Sequence, residues 1–389
     1  MAQMLIMGNG EIDMNKLKIL IINTANTRKN GITKVSYNLL SFSKETEMQF
    51  DYLAINDACE EYVNTINKKN GSFYVLKRRE IGVYKYLYKL AEIIKKNKYD
   101  IIHIHGNSHT LFLELLAAKI GGNARTIIHS HASDSKYRII HKLLNIPFNC
   151  LLDVRVACSD SAGKWMFGNK SYLLLNNGID SKKFTYSEFD RNAIRARLNI
   201  DSNTKVLCHV GMFDNNKNQA FLIKIIENFK NSDVVLILLG DGVLKRQVEK
   251  LTEENNTSHK VRFIGSVDDV HRYLSAADIF IMPSHYEGFP MTLIEAQANG
   301  LHCIVSDTIT RTVNITNNVY FMNIESDSKE WADRISKICT DDRVNRSEEA
   351  CKSIIGKGYD IRQISLKLDE IYYQISQGAR ERNDGSSNK

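Results

Sequence analysis

Short, nearly continuous apolar runs alternate along this chain with longer stretches in which apolar residues return every three or four positions. One series of runs lies at 18–22, 50–55, 72–76, 99–104, 124–129, 154–159 and 171–175, and a second at 206–210, 234–239, 261–264, 279–282, 301–305 and 318–322. Runs without inside–outside alternation are what strands of a parallel sheet show, because both of their faces are covered. Between the runs, the helical period marks 35–40, 83–96, 110–119, 138–144, 221–229, 290–298, 329–338 and 361–373. The polar stretch 180–203 reads as the connection between the two series. At 389 residues the chain exceeds the usual size of one core, so two α/β domains are expected.

One junction carries the chemistry. Pro283-Ser284-His285-Tyr286-Glu287-Gly288-Phe289-Pro290-Met291-Thr292-Leu293-Ile294-Glu295-Ala296 follows an apolar run and enters a helical pattern that stops at Asn299-Gly300. In α/β folds ligands collect at such places, beyond the carboxyl ends of strands. Pro290 suits the first helical turn, where its missing N–H would be unpaired anyway. Met291, Thr292 and Leu293 then keep free amides, and a helix start with free amides favours an anion. Glu287 stands before this helix and Glu295 inside it. Two carboxylates would repel a phosphate unless they served other parts of the ligand, such as sugar hydroxyls. A nucleoside diphosphate sugar satisfies both demands; the plainer alternative is a solvated loop residue and a helix-surface charge.

The stretch Glu287-Gly288-Phe289-Pro290-Met291-Thr292-Leu293-Ile294-Glu295-Ala296 closely resembles the glutamate, seven residues, glutamate motif of the retaining glycosyltransferases of family 4, and the resemblance extends over about 18–376. It implies the GT-B fold, an α/β architecture with two Rossmann-like domains facing each other across a cleft. The expected domains are 16–185 on the acceptor side and 186–360 for the nucleotide sugar. A helix at 361–377 would cross back to the first domain, and 378–389 would be a disordered tail. The same resemblance implies that Glu287 orients sugar hydroxyls and Glu295 ribose hydroxyls, with Gly288 to Leu293 lining the donor site. It also matches Asn177-Gly178-Ile179-Asp180 to the family's interdomain segment.

Other positions carry over one at a time. Gly31, at the turn into a helix, would let a phosphate or sugar approach the backbone. The family usually has a Gly-Gly pair there, and this chain has Asn30-Gly31. Lys217, in a polar loop after a strand, could neutralise a diphosphate as a flexible point charge or be a plain surface lysine. The family has an arginine and a lysine in this loop; Lys217 matches, but Met212 stands where the arginine is expected. Gly240 and 261–265 resemble the nucleotide pocket, with the base held by backbone groups near Phe263 and Ile264.

Two His-x-His pairs end strands, His103 with His105 and His129 with His131, and alternation puts His103 and His105 on one face. Neutral imidazoles suit zinc, iron or nickel, so a metal site is one reading. Core histidines bonded to backbone are another, and ligand contact a third. No Asp, Glu or Lys at a comparable strand end completes a dinuclear centre, and no metal is expected. The resemblance gives His131 a place near the transferring sugar and the acceptor, so His131, Glu287 and Lys217 are the expected catalytic residues.

Composition narrows the class. Apolar residues make up 43% and charged residues 25%, ordinary for a soluble globular protein. The formal charge of +7 is moderate, and basic residues gather between 68 and 98, interleaved with Tyr84, Tyr86 and Tyr88. Such a patch is a solvated helix face or meets an anionic membrane; without a nucleic-acid motif beside it, nucleic acid is not an expected partner. The seven cysteines show no close paired spacing, which argues against a zinc ribbon or a disulfide framework and for a reducing, cytoplasmic setting. No apolar stretch approaches the ~18 residues that span a bilayer. Residues 1–15 lack the features of a signal peptide and read as a disordered extension.

The expected activity is retaining transfer of a hexose or N-acetylhexosamine from a nucleoside diphosphate sugar, uridine being the preferred base, to a saccharide acceptor. By the resemblance, that acceptor is lipid-linked, at the inner face of the cell membrane, in surface polysaccharide synthesis. The helix start and Lys217 would stabilise the leaving diphosphate with no cofactor or metal, and domain closure would exclude water. The family route has the leaving phosphate help deprotonate the acceptor. The alternatives are a nucleotide-sugar epimerase of the same build, a metal-dependent hydrolase, and a non-catalytic carbohydrate-binding protein.

Overall fold

The computed structural model describes residues 16–25, 31–43, 47–135, 137–339 and 342–384. The extension expected at 1–15, the loop residues 26–30 and the tail residues 385–389 lie outside the described residues. Contacts divide the chain into two units, Met1–Gly178 with Ile361–Lys389, and Ile179–Asp360.

The first unit holds a sheet of β1 (Leu17–Asn23), β2 (Met48–Ala54), β3 (Phe73–Val75), β4 (Ile101–Gly106), β5 (Arg125–Ser130), β6 (Val154–Ala157) and β7 (Leu173–Leu174). Their order is β3-β2-β1-β4-β5-β6-β7, and every pair is parallel. The second unit holds β8 (Lys205–Val210), β9 (Val234–Leu239), β10 (Val261–Gly265), β11 (Ile279–Met282), β12 (His302–Ser306) and β13 (Val319–Met322). These run β10-β9-β8-β11-β12-β13, again all parallel. This is the doubly wound order, in which the direction of winding reverses between β8 and β11, as it does between β1 and β4 in the first unit.

The continuous apolar runs are explained by burial on both faces. On β9, Val235, Ile237 and Leu239 join one core cluster while Val234, Leu236 and Leu238 join the other. On β1, Leu20 and Ile22 are separated in the same way from Ile19 and Ile21. Each sheet therefore lies between two layers of helices.

Three expectations change. Residues 179–185 belong to the second unit, where Ile179 and Phe184 enter its core and Ser181 Oγ donates to Asp360 at 2.5 Å. The polar connection at 180–203 contains a helix, Glu188–Arg197, whose buried residues are Ile194 and Arg195, too few to show a period. The last helix, Ile361–Asp384, continues past the point where polar composition suggested a disordered tail. Gly378 alone costs a helix about 1 kcal/mol, and the alanine, arginines and glutamate after it favour continuation. This helix packs on the first unit through Ile361, Ile364, Leu368 and Tyr372, and Ser365 Oγ donates to the Leu39 carbonyl at 2.8 Å.

Candidate active site

Because β8 and β11 are neighbours at the switch point, the loops that follow them leave the second sheet side by side. Asn216 joins the two loops. Its carbonyl accepts from the His285 amide at 2.8 Å and its Oδ1 from the Tyr286 amide at 3.0 Å, while its Nδ2 donates to the Tyr286 carbonyl at 2.8 Å. Asn218 Nδ2 adds a bond to the Pro283 carbonyl at 3.3 Å, and Asp214 Oδ1 accepts the Lys217 amide at 2.9 Å. With both loops tied, Lys217 Nζ reaches Glu287 Oε1 at 2.5 Å, the side chains being 19% and 13% exposed. The sequence reading treated Lys217 as a flexible point charge; here it is held against the carboxylate that was expected to serve sugar hydroxyls.

The helix after this loop is Met291–Ala298, and Pro290 is the extended residue before it, with φ −73° and ψ 108°, rather than part of its first turn. The Pro290 carbonyl accepts from the Leu293 amide at 3.1 Å. Leu293, fully buried in the core, is thereby removed from the expected donors, leaving Met291 and Thr292, both half-buried, to present first-turn amides. Phe289 stacks on Tyr359 with centroids 5.1 Å apart, while Gly288 is exposed. Glu295 is buried, which removes the reading of a helix-surface charge.

Three strand ends meet through glycines. A Cβ on Gly240, where φ is +131°, would lie 2.0 Å from the Gly211 carbonyl oxygen. The Gly240 amide donates to the Gly265 carbonyl at 2.8 Å, and the Gly211 amide to Leu239 at 3.0 Å. Ile264 is the extra residue where the β9–β10 register shifts between Phe263 and Gly265, which takes it out of the regular ladder at the sheet's edge. Met212 is 52% exposed in the loop after β8.

In the first unit the four histidines come together. His103 stacks on His105 at 4.2 Å, as alternation required, and His129 lies 4.1 Å from His131. His131 Nδ1 is 3.0 Å from Asn177 Oδ1, an acceptor, so that nitrogen carries the proton. Its Nε2 then accepts from His105 Nδ1 at 2.9 Å, and its amide donates to Asn107 Oδ1 at 3.0 Å. His103 Nδ1 meets the Tyr372 hydroxyl at 2.6 Å. Neither ring nitrogen of His129 has a bonding partner, although the Leu175 backbone lies close enough to offset part of its burial effect. Burial is the largest cause lowering all four pKa values, reinforced at His103, His105 and His129 by neighbouring imidazoles; His131 falls to about 4. The cluster is neutral at pH 7.

Ring nitrogens of His103, His105 and His129 lie within 4.8 Å of one another, a grouping that could hold a metal ion. An imidazole lone pair lies in its ring plane, however, and these planes are inclined by only 8–36° to one another. Such stacked rings aim their lone pairs past each other rather than at one tetrahedral centre. The described arrangement is a hydrogen-bonded chain. Gly31 opens the helix Gly31–Ser41 near the end of β1, and the rest of its loop is outside the described residues.

The sequence reading gave no role of their own to Asn107, Asn177 and Asn216, which hold candidate site side chains in place, although each stood in a stretch next to a marked residue. His209 was also passed over: buried on β8, it bonds the Ile281 carbonyl through Nδ1 at 2.9 Å, and burial lowers its pKa to about 4. The aromatic interleaving of the basic helix, Val83–Asn97, is interrupted, because Tyr86 is buried and donates to Glu114 Oε1 at 2.8 Å.

Residues 190–359 match the family described as Glycosyl transferases group 1, and residues 30–182 match Glycosyltransferase Family 4. EpsF of Bacillus subtilis is 29% identical over 360 residues, covering 88% of this chain and 93% of EpsF. The Escherichia coli UDP-Gal:alpha-D-GlcNAc-diphosphoundecaprenol alpha-1,3-galactosyltransferase is 27% identical over 370 residues, covering 89% and 94%. Among solved structures, Anabaena HepE in complex with UDP superposes with a TM-score of 0.74 at 16% identity, covering 92% of this chain and 100% of HepE. A glycosyltransferase from Rickettsia africae gives 0.75 at 19%, covering 93% and 99%.

Two Rossmann-like units give this chain the GT-B fold, and the family matches over its two halves mark it as a glycosyltransferase. It is related to the family 4 enzymes of capsular and exopolysaccharide synthesis, and it acts as a nucleotide-sugar-dependent transferase on a saccharide acceptor.

Proposed function

We propose that the protein transfers a hexose or N-acetylhexosamine, with retention of anomeric configuration, from a UDP-sugar to a lipid-linked saccharide during surface polysaccharide synthesis. The observation that carries this reading is the Lys217–Glu287 pair, fixed at the switch point at the same sheet end as the Met291 and Thr292 amides. A diphosphate arriving there exchanges partners with the pair. Lys217 turns to the phosphates, and Glu287, released, accepts hydroxyls of the sugar.

With Met212 in place of an arginine, the first-turn amides carry more of the leaving-group stabilisation than a second side-chain cation would leave to them. Glu295 serves the ribose, the strand ends at Gly240, Phe263 and Ile264 the nucleoside, and Gly31 and His131 the acceptor half. The departing phosphate takes the acceptor proton, so no enzymic nucleophile is invoked. Uridine and a lipid carrier are supported by the E. coli relative, named for UDP-galactose and a diphosphoundecaprenol-linked acceptor, and by HepE, solved with UDP-glucose. A Campylobacter jejuni relative, 28% identical over 200 residues, is also named for a diphospho-undecaprenol substrate. No helix among the described residues is long and apolar enough to cross a membrane, so contact with a lipid-linked acceptor would be peripheral.

The test is incubation of the purified protein with a panel of nucleotide sugars and undecaprenyl-diphosphate-linked saccharides, followed by mass spectrometry and anomeric proton NMR. UDP release that requires acceptor, with the donor's configuration kept in the product, is expected. A donor epimerised in the absence of acceptor, or an inverted linkage, overturns the reading.

A further inference from the structure

Between β5 and β6 the chain forms two short helices, Arg138–Leu143 and Asn145–Leu151. Their inner side is firmly fixed. His141 is sandwiched between His109, at 3.7 Å and 10°, and Trp165, at 4.2 Å and 11°, and Phe148 is fully buried. Their outer side is aliphatic. Ile139, Leu143 and Ile146 are 77%, 74% and 76% exposed, with Ile140 beside them. Spacings of four and three put the first three on one face of the helical path. Exposed aliphatics on a rigidly packed backbone are a standing cost, and a contiguous patch of them marks a contact surface.

The charge around the ridge identifies the partner. From Ser135 to Leu152 there is no Asp or Glu, while Lys136, Arg138 and Lys142 fall within it. Arg138 bonds Asp134 at 2.5 Å, and Lys142 is exposed beside Leu143. With Arg138 paired to Asp134, the exposed Lys142 stands among aliphatic side chains on helices too short to span, the pattern of an element lying in the headgroup region of an anionic bilayer. The ridge begins a few residues after His131, beyond the carboxyl end of β5, and Phe148 anchors it in the core on the opposite face of the first sheet from the histidine chain, which shares its face with Ile101, Ile127 and Tyr372.

We infer that the helix pair at 138–151 is the surface by which this protein rests on an anionic membrane, inserting Ile139, Leu143 and Ile146. The inference rests on the lipid-linked acceptor proposed above and assigns the contact to this ridge rather than to the basic helix Val83–Asn97.

Flotation with phosphatidylglycerol–phosphatidylcholine vesicles, against phosphatidylcholine alone, tests it on the full chain. Binding to the anionic vesicles is expected, and the combined variant Ile139→Ser, Leu143→Ser, Ile146→Ser lowers the partition coefficient by about tenfold or more. Ile146→Trp raises it, because tryptophan favours the interface. These side chains are exposed, so circular dichroism and thermal melting should be unchanged.

Failure of the wild type to float, or equal flotation of the serine variant, overturns the assignment. So does loss of binding on Lys85→Glu with Lys89→Glu while the serine variant still binds. Light scattering that shows a dimer split by the serine variant also overturns it, since a second copy would then be the occupant. Transfer to an undecaprenyl-diphosphate-linked saccharide in detergent separates the two claims. Vesicle binding through the ridge without transfer to that acceptor sinks the lipid-linked reading alone, and transfer without vesicle binding sinks the ridge alone.

Discussion

Lys217 and Glu287 meet at 2.5 Å although seventy positions separate them, because each follows one of the two strands between which the second sheet reverses its winding. Asn216 fixes the approach by bonding both backbone groups of Tyr286, the residue before Glu287. Neither charge is well solvated, so each depends on the other until a ligand supplies a substitute.

If the pair exchanges partners with the donor, Lys217→Ala and Glu287→Gln each lower kcat/KM by about tenfold or more, equal to ~1.4 kcal/mol. The double variant should cost less than the sum of the two, since the residues act on one another before they act on substrate. Steady-state kinetics over the four-member cycle measure the coupling. Strict additivity would separate the two residues functionally.

Met212 gives a gain-of-function test. It is 52% exposed in the loop after β8, so an arginine can be placed there without disturbing the core. Met212→Arg should tighten UDP-sugar binding several-fold, corresponding to ~1 kcal/mol for one charge-assisted contact to phosphate. The gain should shrink at high salt, which screens a half-exposed cation. Calorimetry at two ionic strengths measures both effects.

The strands were legible because burial on both faces leaves each one an apolar run, as in 234–239, where all six residues are buried. Helices with charged surfaces and few core contacts were not: Glu188–Arg197, Lys245–Glu254 and Arg343–Gly356 bury only two or three residues each. The glutamate motif marked the loop proposed for the donor, but not the pairing of Glu287 with Lys217, which depends on strand order rather than on any local pattern. Proline at a helix start was read correctly as a boundary and placed one position too far in, because both the residue before a helix and its first residue tolerate a missing N–H.

Gly240 tests the close packing of the strand ends. An alanine there would need both a φ of +131° and a Cβ 2.0 Å from a backbone oxygen, neither of which a side-chain movement can relieve. Gly240→Ala should destabilise the second unit by ~2 kcal/mol or more, a fall in Tm of roughly 4–8 °C for a unit of this size. Calorimetry should show the first unit's transition unmoved, so a uniform shift of both transitions would count against two separately cored units.

Acid should weaken the first unit. His131 has a pKa near 4 in the folded chain, below the usual histidine value, and burial pushes those of His103, His105 and His129 down as well. Between about 4 and 6.5 the unfolded chain therefore binds more protons than the folded one. Stability is highest above this window and is lost as pH falls through it. His129→Leu removes two buried nitrogens that have no bonding partner, and should both raise Tm at pH 7 and flatten its fall toward pH 5. Melting curves across that range check the sign, and a steeper acid loss in the variant would refute the account.

The tautomer of His131 can be tested through its neighbour. Asn177 Oδ1 accepts the Nδ1 proton at 3.0 Å, and His105 donates to Nε2 at 2.9 Å, so the ring is neutral with both nitrogens engaged. In Asn177→Asp a carboxylate would stand at the same nearly buried position, where it favours the imidazolium. The His131 pKa should then rise by about one unit or more from its value near 4. Long-range proton–nitrogen NMR of the imidazoles reads this directly, independent of turnover. If His131 takes part in transfer, the acid limb of the pH–rate profile moves up with it. A midpoint that stays near 4 would mean that residue 177 does not bond the His131 ring, and the hydrogen-bonded chain would have to end at His131.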